Sequence, residues 1–181
     1  MKTSLLFLLL VSPLASYAGN PIPKCFDANK NEISVMNEAV VQYKTTLPNL
    51  QKVQVLVKAT LVKMMPNVVN DFGTHMHFII SLRDDTSDPA GLIEIADSIN
   101  GYTTASASDL SAGPFYLCGE YSTTNANGLP KITTFTPSVT GAMIHWTHQN
   151  DTDVSTPANG HPNGWIYANG KTFGLLASKP L

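Results

Sequence analysis

The stretch "KVQVLVKATLVKMM", residues 52–65, decides the fold. Val53, Val55, Val57, Ala59 and Leu61 recur at every second position, the period of a strand with one face on a core. Working downstream, "HMHFIISL" (75–82) and "GLIEIADSI" (91–99) read as two further strands, separated by the turn-rich "RDDTSDPA" (83–90). "GPFYLCGEY" (113–121) is a fourth strand and "TGAMIHW" (140–146) a fifth. "GWIYANGKTF" (164–173) reads as a hairpin, since Asn169-Gly170 is a strong tight-turn signal. The segment "GYTTASASDLSAG" (101–113) is a loop or short helix between the third and fourth strands.

Working upstream, "NEISVMNEAVVQYKT" (31–45) places Ile33, Met36, Val40 and Tyr43 at helical spacing, with Pro48 closing the helix. Residues 19–30, with Pro21, Pro23 and Cys25, form an extended arm. One helix followed by five or more short strands predicts a mainly β protein. The expected architecture is a small five-stranded OB-like barrel with an N-terminal helix, and a β-sandwich is the alternative. Residues 19–48 are then the arm and helix, and 49–181 the barrel domain.

The first residues, "MKTSLLFLLLVSPLASYAGN", carry Lys2, an apolar run from Leu5 to Val11, and small residues at Ser16 and Ala18. This is the pattern of a secretory signal peptide over residues 1–18, too short in its apolar core to span a bilayer. The expected location is therefore outside the cytoplasm, periplasmic or secreted, with no membrane insertion after the signal is removed. Of 11 basic residues in the chain, loss of Lys2 leaves 10 against 13 acidic ones, a net charge of −3. That balance argues against a nucleic-acid partner, whose phosphates call for a basic groove. It argues equally against an anionic membrane surface. The two cysteines, Cys25 and Cys118, read as one disulfide pinning the arm to the domain in an oxidising compartment, with buried free thiols as the alternative.

All five histidines fall in three windows: "GTHMHF" (73–78), "IHWTHQND" (144–151) and "NGHPNGW" (159–165). On a strand with Met76, Phe78, Ile80 and Leu82 in the core, His75 and His77 share the opposite face with Ile79. A His-X-His pair on a strand can aim two imidazoles at one point, as in zinc and copper sites; two solvated histidines are the plainer reading. In the second window Ile144 and Trp146 point one way, and Met143, His145 and Thr147 the other. His148 joins His145 only if the chain curls after Trp146, which Gln149, Asn150 and Asp151 favour. His161 lies in a Gly/Pro loop beside Trp165. Trp146 and Trp165 are packing residues or a stacking platform for a sugar or base.

Several enzyme classes are excluded by the same residues. No helix carries two histidines four apart around a glutamate, and no Gly-X-Ser-X-Gly elbow occurs. Paired His-X-Thr/Ser units would mark a two-histidine phosphoesterase; His145-Trp146-Thr147 supplies one, but His75-Met76-His77 is not a second. What remains for catalysis is a histidine acting with Asp151, Asp153 or Glu120 in acid/base or metal-assisted hydrolysis.

"GAMIHWTHQND" (141–151) followed by "GHPNGWIYANGKTF" (160–173) resembles the signature of a bacterial family of small proteins with a His-Trp-Thr-His motif, domain-of-unknown-function family 3465. "LVKMMPNVVNDFGTHMHFIISL" (61–82) and "YLCGEY" (116–121) are similar to its upstream strands, so the resemblance spans Val53 to Phe173. It places His75, His145, Trp146, Thr147, His148, His161, Gly164 and Trp165 on signature positions. The chain departs from the family at His148-Gln149-Asn150, where His-His-Asp is usual, before His161, where it inserts residues, and at "ADSIN" (96–100). The family implies no established activity.

The expected function is a binding protein for a divalent metal, such as zinc, or a small polar ligand. Its expected ligand-binding residues are His75, His77, His145, Trp146, Thr147, His148, Asp151, His161 and Trp165. The metal version uses His75, His145, His148 and His161. A hydrolase acting on phosphodiesters or glycans through the same histidines is one alternative. A structural protein is the other, its histidines knitting the barrel end to the Gly160–Trp165 loop while another surface meets a protein partner.

Overall fold

The computed structural model describes residues 20–46, 52–71, 73–123, 143–145, 147–149 and 162–177. The alternating stretch is one long strand, β3 (Val53–Met64). It follows β1 (Cys25–Phe26), β2 (Glu32–Ile33) and helix α1 (Asn37–Thr46). Then come β4 (Val68–Asn70), β5 (Gly73–Ser81), β6 (Leu92–Ser98), the short helix α2 (Ala107–Ser111) and β7 (Phe115–Ser122). The last strands are β8 (Met143–His145), β9 (Trp165–Ala168) and β10 (Lys171–Phe173).

β3 pairs antiparallel with both β5 and β7, and β5 pairs antiparallel with β6. β6 runs parallel to β8, and β8 returns antiparallel to β7. The ring β3–β5–β6–β8–β7 therefore closes on itself, which removes the open edges a sandwich would leave. This is the expected five-stranded OB-like barrel, with α2 between its third and fourth strands. β4 pairs with β5, and the β9–β10 hairpin extends the sheet outward from β7.

The period-2 reading holds through the core. Val55, Val57 and Ala59 of β3 face inward with Met76, Phe78 and Ile80 of β5. Ile93, Ile95, Phe115, Leu117, Tyr121, Ile144 and Ile166 complete the same cluster. The alternation on β3 breaks at a register shift against β5 between Leu61 and Lys63. In the hairpin turn, Asn169 and Gly170 adopt φ of 50° and 72°, the left-handed pair a tight two-residue turn demands.

The helix starts later than its spacing predicts. Asp27 accepts the backbone N–H groups of Asn29 and Asn31 at 2.8 Å each, folding a turn that sends residues 32–33 back along β1. Ile33 then packs beside the disulfide, while Met36, Val40 and Tyr43 pack on the barrel core. Asn37 holds the entry to α1, donating to the carbonyls of Lys58 and Leu82 and accepting from the N–H of Lys58.

Cys25 and Cys118 are disulfide-bonded across 93 residues, tying the arm to β7. Leu56 and Trp165 bury this bond, and the Trp165 indole N–H donates to the Lys24 carbonyl at 3.1 Å. Among the described residues no helix is long and apolar enough to cross a membrane.

Candidate functional site

Strand register fixes which side chains meet outside the barrel. His77 of β5 pairs in register with Ala96 of β6, Ala96 with His145 of β8, and His145 with Glu120 of β7. One row therefore crosses four strands on the outer face. The neighbouring row contains Ile79, Glu94, Met143 and Ser122. The inward side of the same strands is filled by Phe78, Ile95, Ile144 and Tyr121.

Two imidazole–carboxylate pairs lie in these rows, on either side of Ala96. His77 Nδ1 is 2.7 Å from Glu94 Oε1, and His145 Nε2 is 3.2 Å from Glu120 Oε1. The carboxylate side chains are only 5% and 3% exposed, whereas the imidazoles reach 14% and 26%. Each acid is thus a buried anchor, and each ring faces outward. A carboxylate at that depth needs a partner, because an isolated charge loses far more solvation than burial returns. The carboxylate in turn fixes ring orientation, the arrangement by which proteins present an imidazole for binding or proton transfer. Glu94 Oε2 is buried and has no hydrogen-bond partner among the described residues.

The second half of the His-Trp-Thr-His motif goes elsewhere. β8 ends at His145, so the expectation that Thr147 lies beside His145 on one face is corrected: the chain has left the strand. Thr147 instead donates its hydroxyl to Asp97 Oδ1 at 2.5 Å. Asp97 is in register with Met76, on the core face of β6. His148 Nδ1 lies 3.9 Å from the same Asp97 oxygen, and its ring packs against Tyr102 with centroids 4.3 Å apart. Burial pushes the Asp97 carboxyl above its ordinary value, opposed by His148 and Thr147. The His148 carbonyl accepts from the Gly164 N–H at 2.8 Å, and Gln149 N–H donates to the Gly174 carbonyl at 2.7 Å. These bonds lace residues 147–149 to the start and end of the β9–β10 hairpin.

His75, in register with Ser98, feels both His148 and Asp97. Burial, reinforced by His77, holds its imidazole below the ordinary value. The expected histidines are thus divided: His77 and His145 each take a glutamate on the outer face, while His148 takes Asp97 at the barrel end. Among the described residues, no three histidine, cysteine, aspartate or glutamate side chains are grouped to hold a metal ion. Trp165 packs on the disulfide, and Trp146, Asp151, Asp153 and His161 lie outside the described residues.

Glu94 and Asp97 escaped the sequence reading. Their signal is visible in "LIEIADS" (92–98): two carboxylates in an otherwise apolar strand, three apart and so on opposite faces. Such residues must be buried with partners, and both are, at 4% and 1% exposed. An open cleft of about 1000 Å³ between the arm and the hairpin touches Phe26, Trp165, Pro162 and Leu175. It is lined by none of the described histidines.

With the geometry in view, comparison adds no name: no family model, no curated protein and no solved structure matches this chain.

Proposed function

We propose that the protein is an exported binding protein that takes a small polar ligand on the outer face of β5, β6 and β8. The observation that carries this reading is the pair of glutamate-anchored imidazoles, His77–Glu94 and His145–Glu120, flanking Ala96 in register. Two buried carboxylates are costly features for a barrel wall, and nothing in the core requires them. Barrels of this topology characteristically bind on the face of their second and third strands, which here are β5 and β6. That is a fold-level argument, and the paired side chains give it chemistry. Export rests on the N-terminal signal pattern and agrees with the disulfide. Membership of domain-of-unknown-function family 3465 belongs to the same proposal, carried by the His-Trp-Thr-His motif.

Thr147 and His148 support a second role for the motif. Their bonds to Asp97, Gly164 and the hairpin are those of a structural clasp at the barrel end. One motif then serves two purposes, His145 for the ligand and Thr147-His148 for the frame.

A thermal-shift panel of divalent metals, phosphate, amino acids and sugars tests the binding reading. At least one class should raise the melting temperature of the wild type and fail to do so in a His77→Asn, His145→Asn double variant. Stabilisation that survives the double variant, or none from any class, contradicts it.

A further inference from the structure

We infer that the cleft between the arm and the hairpin takes an extended, apolar peptide segment bearing a carboxylate, which adds as a strand to the open edge of β1. The site is separate from the outer face of β5, β6 and β8 and does not depend on it. The backbone is the first reason. β1 pairs with β2 alone. The Asp27 N–H donates to the Asn31 carbonyl at 3.0 Å, one position beyond the Phe26–Glu32 pair. Hydrogen-bonded and non-hydrogen-bonded pairs alternate in an antiparallel ladder, so the N–H and C=O of Phe26 point away from β2. The Lys24 carbonyl, two residues earlier, points the same way and accepts from the Trp165 indole N–H. That edge therefore faces Trp165, which lines the cleft together with Phe26. The Lys24 carbonyl is taken, but Phe26 presents one donor and one acceptor that no other strand among the described residues engages. An open strand edge is a template for another extended chain.

The walls are the second reason. Of the eight large apolar side chains exposed among the described residues, four lie on the arm or just after β10: Ile22, Phe26, Leu175 and Leu176. Phe26, 42% exposed, lines the cleft from the arm, and Leu175, 37% exposed, from the hairpin. Apolar exposure concentrated in this way marks an interaction site. A sugar finds little here, because the Trp165 ring is only 5% exposed and its N–H is spent on Lys24. Backbone polarity between apolar walls is what an extended peptide matches, with its own main chain and its alternate side chains. The volume, about 1000 Å³, stands at the top of the range that small molecules occupy, about 300–1,000 Å³.

Charge is the third reason. The charged residues lining the cleft are Lys24, Asp27 and Lys30. Glu32 holds the Lys24 ammonium at 2.7 Å. Asp27 accepts from the backbone N–H groups of Asn29 and Asn31 and from the Asn31 side chain. Lys30 is exposed, and no carboxylate among the described residues pairs with it. The lining thus holds one ammonium in surplus, the complement of a carboxylate on the peptide.

Panning a phage-displayed library of random peptides on the full, disulfide-bonded protein, then titrating the selected peptides as synthetic molecules, tests this. Selected peptides should alternate apolar residues and carry an acidic group, and on binding they should protect the Phe26 amide from hydrogen exchange. Leu175→Ser should weaken them about tenfold through the lost apolar contact, and Lys30→Gln about threefold, as an exposed charge pair. Both side chains are exposed, so the fold is retained. A scan of single N-methyl groups along the peptide leaves the protein untouched and should find at least one position where binding is lost. If no peptide is selected, or if binding ignores both substitutions, the cleft is overturned as the site. If binding responds to them but tolerates every N-methyl group, strand addition is overturned. If the protein dimerises and protects the Phe26 amide with no peptide added, a second copy is the occupant and the peptide is overturned.

Discussion

Thr147 donates its hydroxyl to Asp97 Oδ1 at 2.5 Å, joining the segment after β8 to a carboxylate only 1% exposed on the core face of β6. The bond matters because Asp97 Oδ2 has no partner among the described residues. The carboxylate therefore leans heavily on Thr147 and His148. Thr147→Val keeps the shape and removes the donor, and should destabilise by about 1–3 kcal/mol through the desolvated carboxylate left behind. Thr147→Ser should restore much of the loss. Urea denaturation of the three proteins checks this, and an unchanged midpoint for Thr147→Val would count against the clasp.

A glycine on β7 makes the same clasp possible. A methyl group added to Gly119 would come within 2.8 Å of both Ile144 Cγ2 and Thr147 Cγ2, and within 2.9 Å of the His145 carbonyl. β8 and the segment after it could not then approach β7 as closely. Gly119→Ala should cost about 1–3 kcal/mol by overpacking, read as a lowered denaturation midpoint with an unchanged disulfide.

The disulfide closes a separation of 93 residues. Cys25→Ser with Cys118→Ser should cost about 2–5 kcal/mol, chiefly by freeing the unfolded chain. Because the arm also holds Trp165 through the Lys24 carbonyl, tryptophan fluorescence should report its release before the barrel melts. A single unfolding transition at the wild-type midpoint would contradict this.

His75 supplies a pH prediction. Its imidazole is held below 6.5, first by burial and next by His77, so the folded protein binds fewer protons there than the unfolded chain does. Stability is therefore complete above 6.5 and falls as pH drops through that value toward the lowered one. Asp97 has the reverse linkage: its raised carboxyl favours the folded state below 3.8 and loses that advantage as pH rises. Between neutral pH and about 5.5 the wild type should lose stability relative to His75→Gln, in which the imidazole's contribution is removed and that of Asp97 is kept. Equal slopes in both proteins would remove His75 from the account.

The barrel was legible because its information is local. Period-2 runs from Val53 to Ala59 and from Met76 to Leu82 assign the core face, and Asn169-Gly170 assigns the hairpin. The helix start was not, because Ile33 and Met36 fit helical spacing as well as they fit a strand followed by a cap. What decided it was the Asp27 side chain folding the arm back. The site was legible only in part. His77 and His145 lie 68 positions apart and share a row only because β6 and β8 run parallel, a long-range pairing no local pattern encodes. Their glutamates needed the same register. The split of Thr147 from His145 followed from where β8 ends, which the alternation alone placed too late.

Imidazole nitrogen chemical shifts, followed by NMR as ligand is added, test the central claim most directly. His77 and His145 report on the outer face, and His148 on the clasp. The account predicts that the His77 and His145 resonances move together and saturate at one concentration, while His148 stays still. Movement of His148 with His77 and His145 unchanged would contradict it.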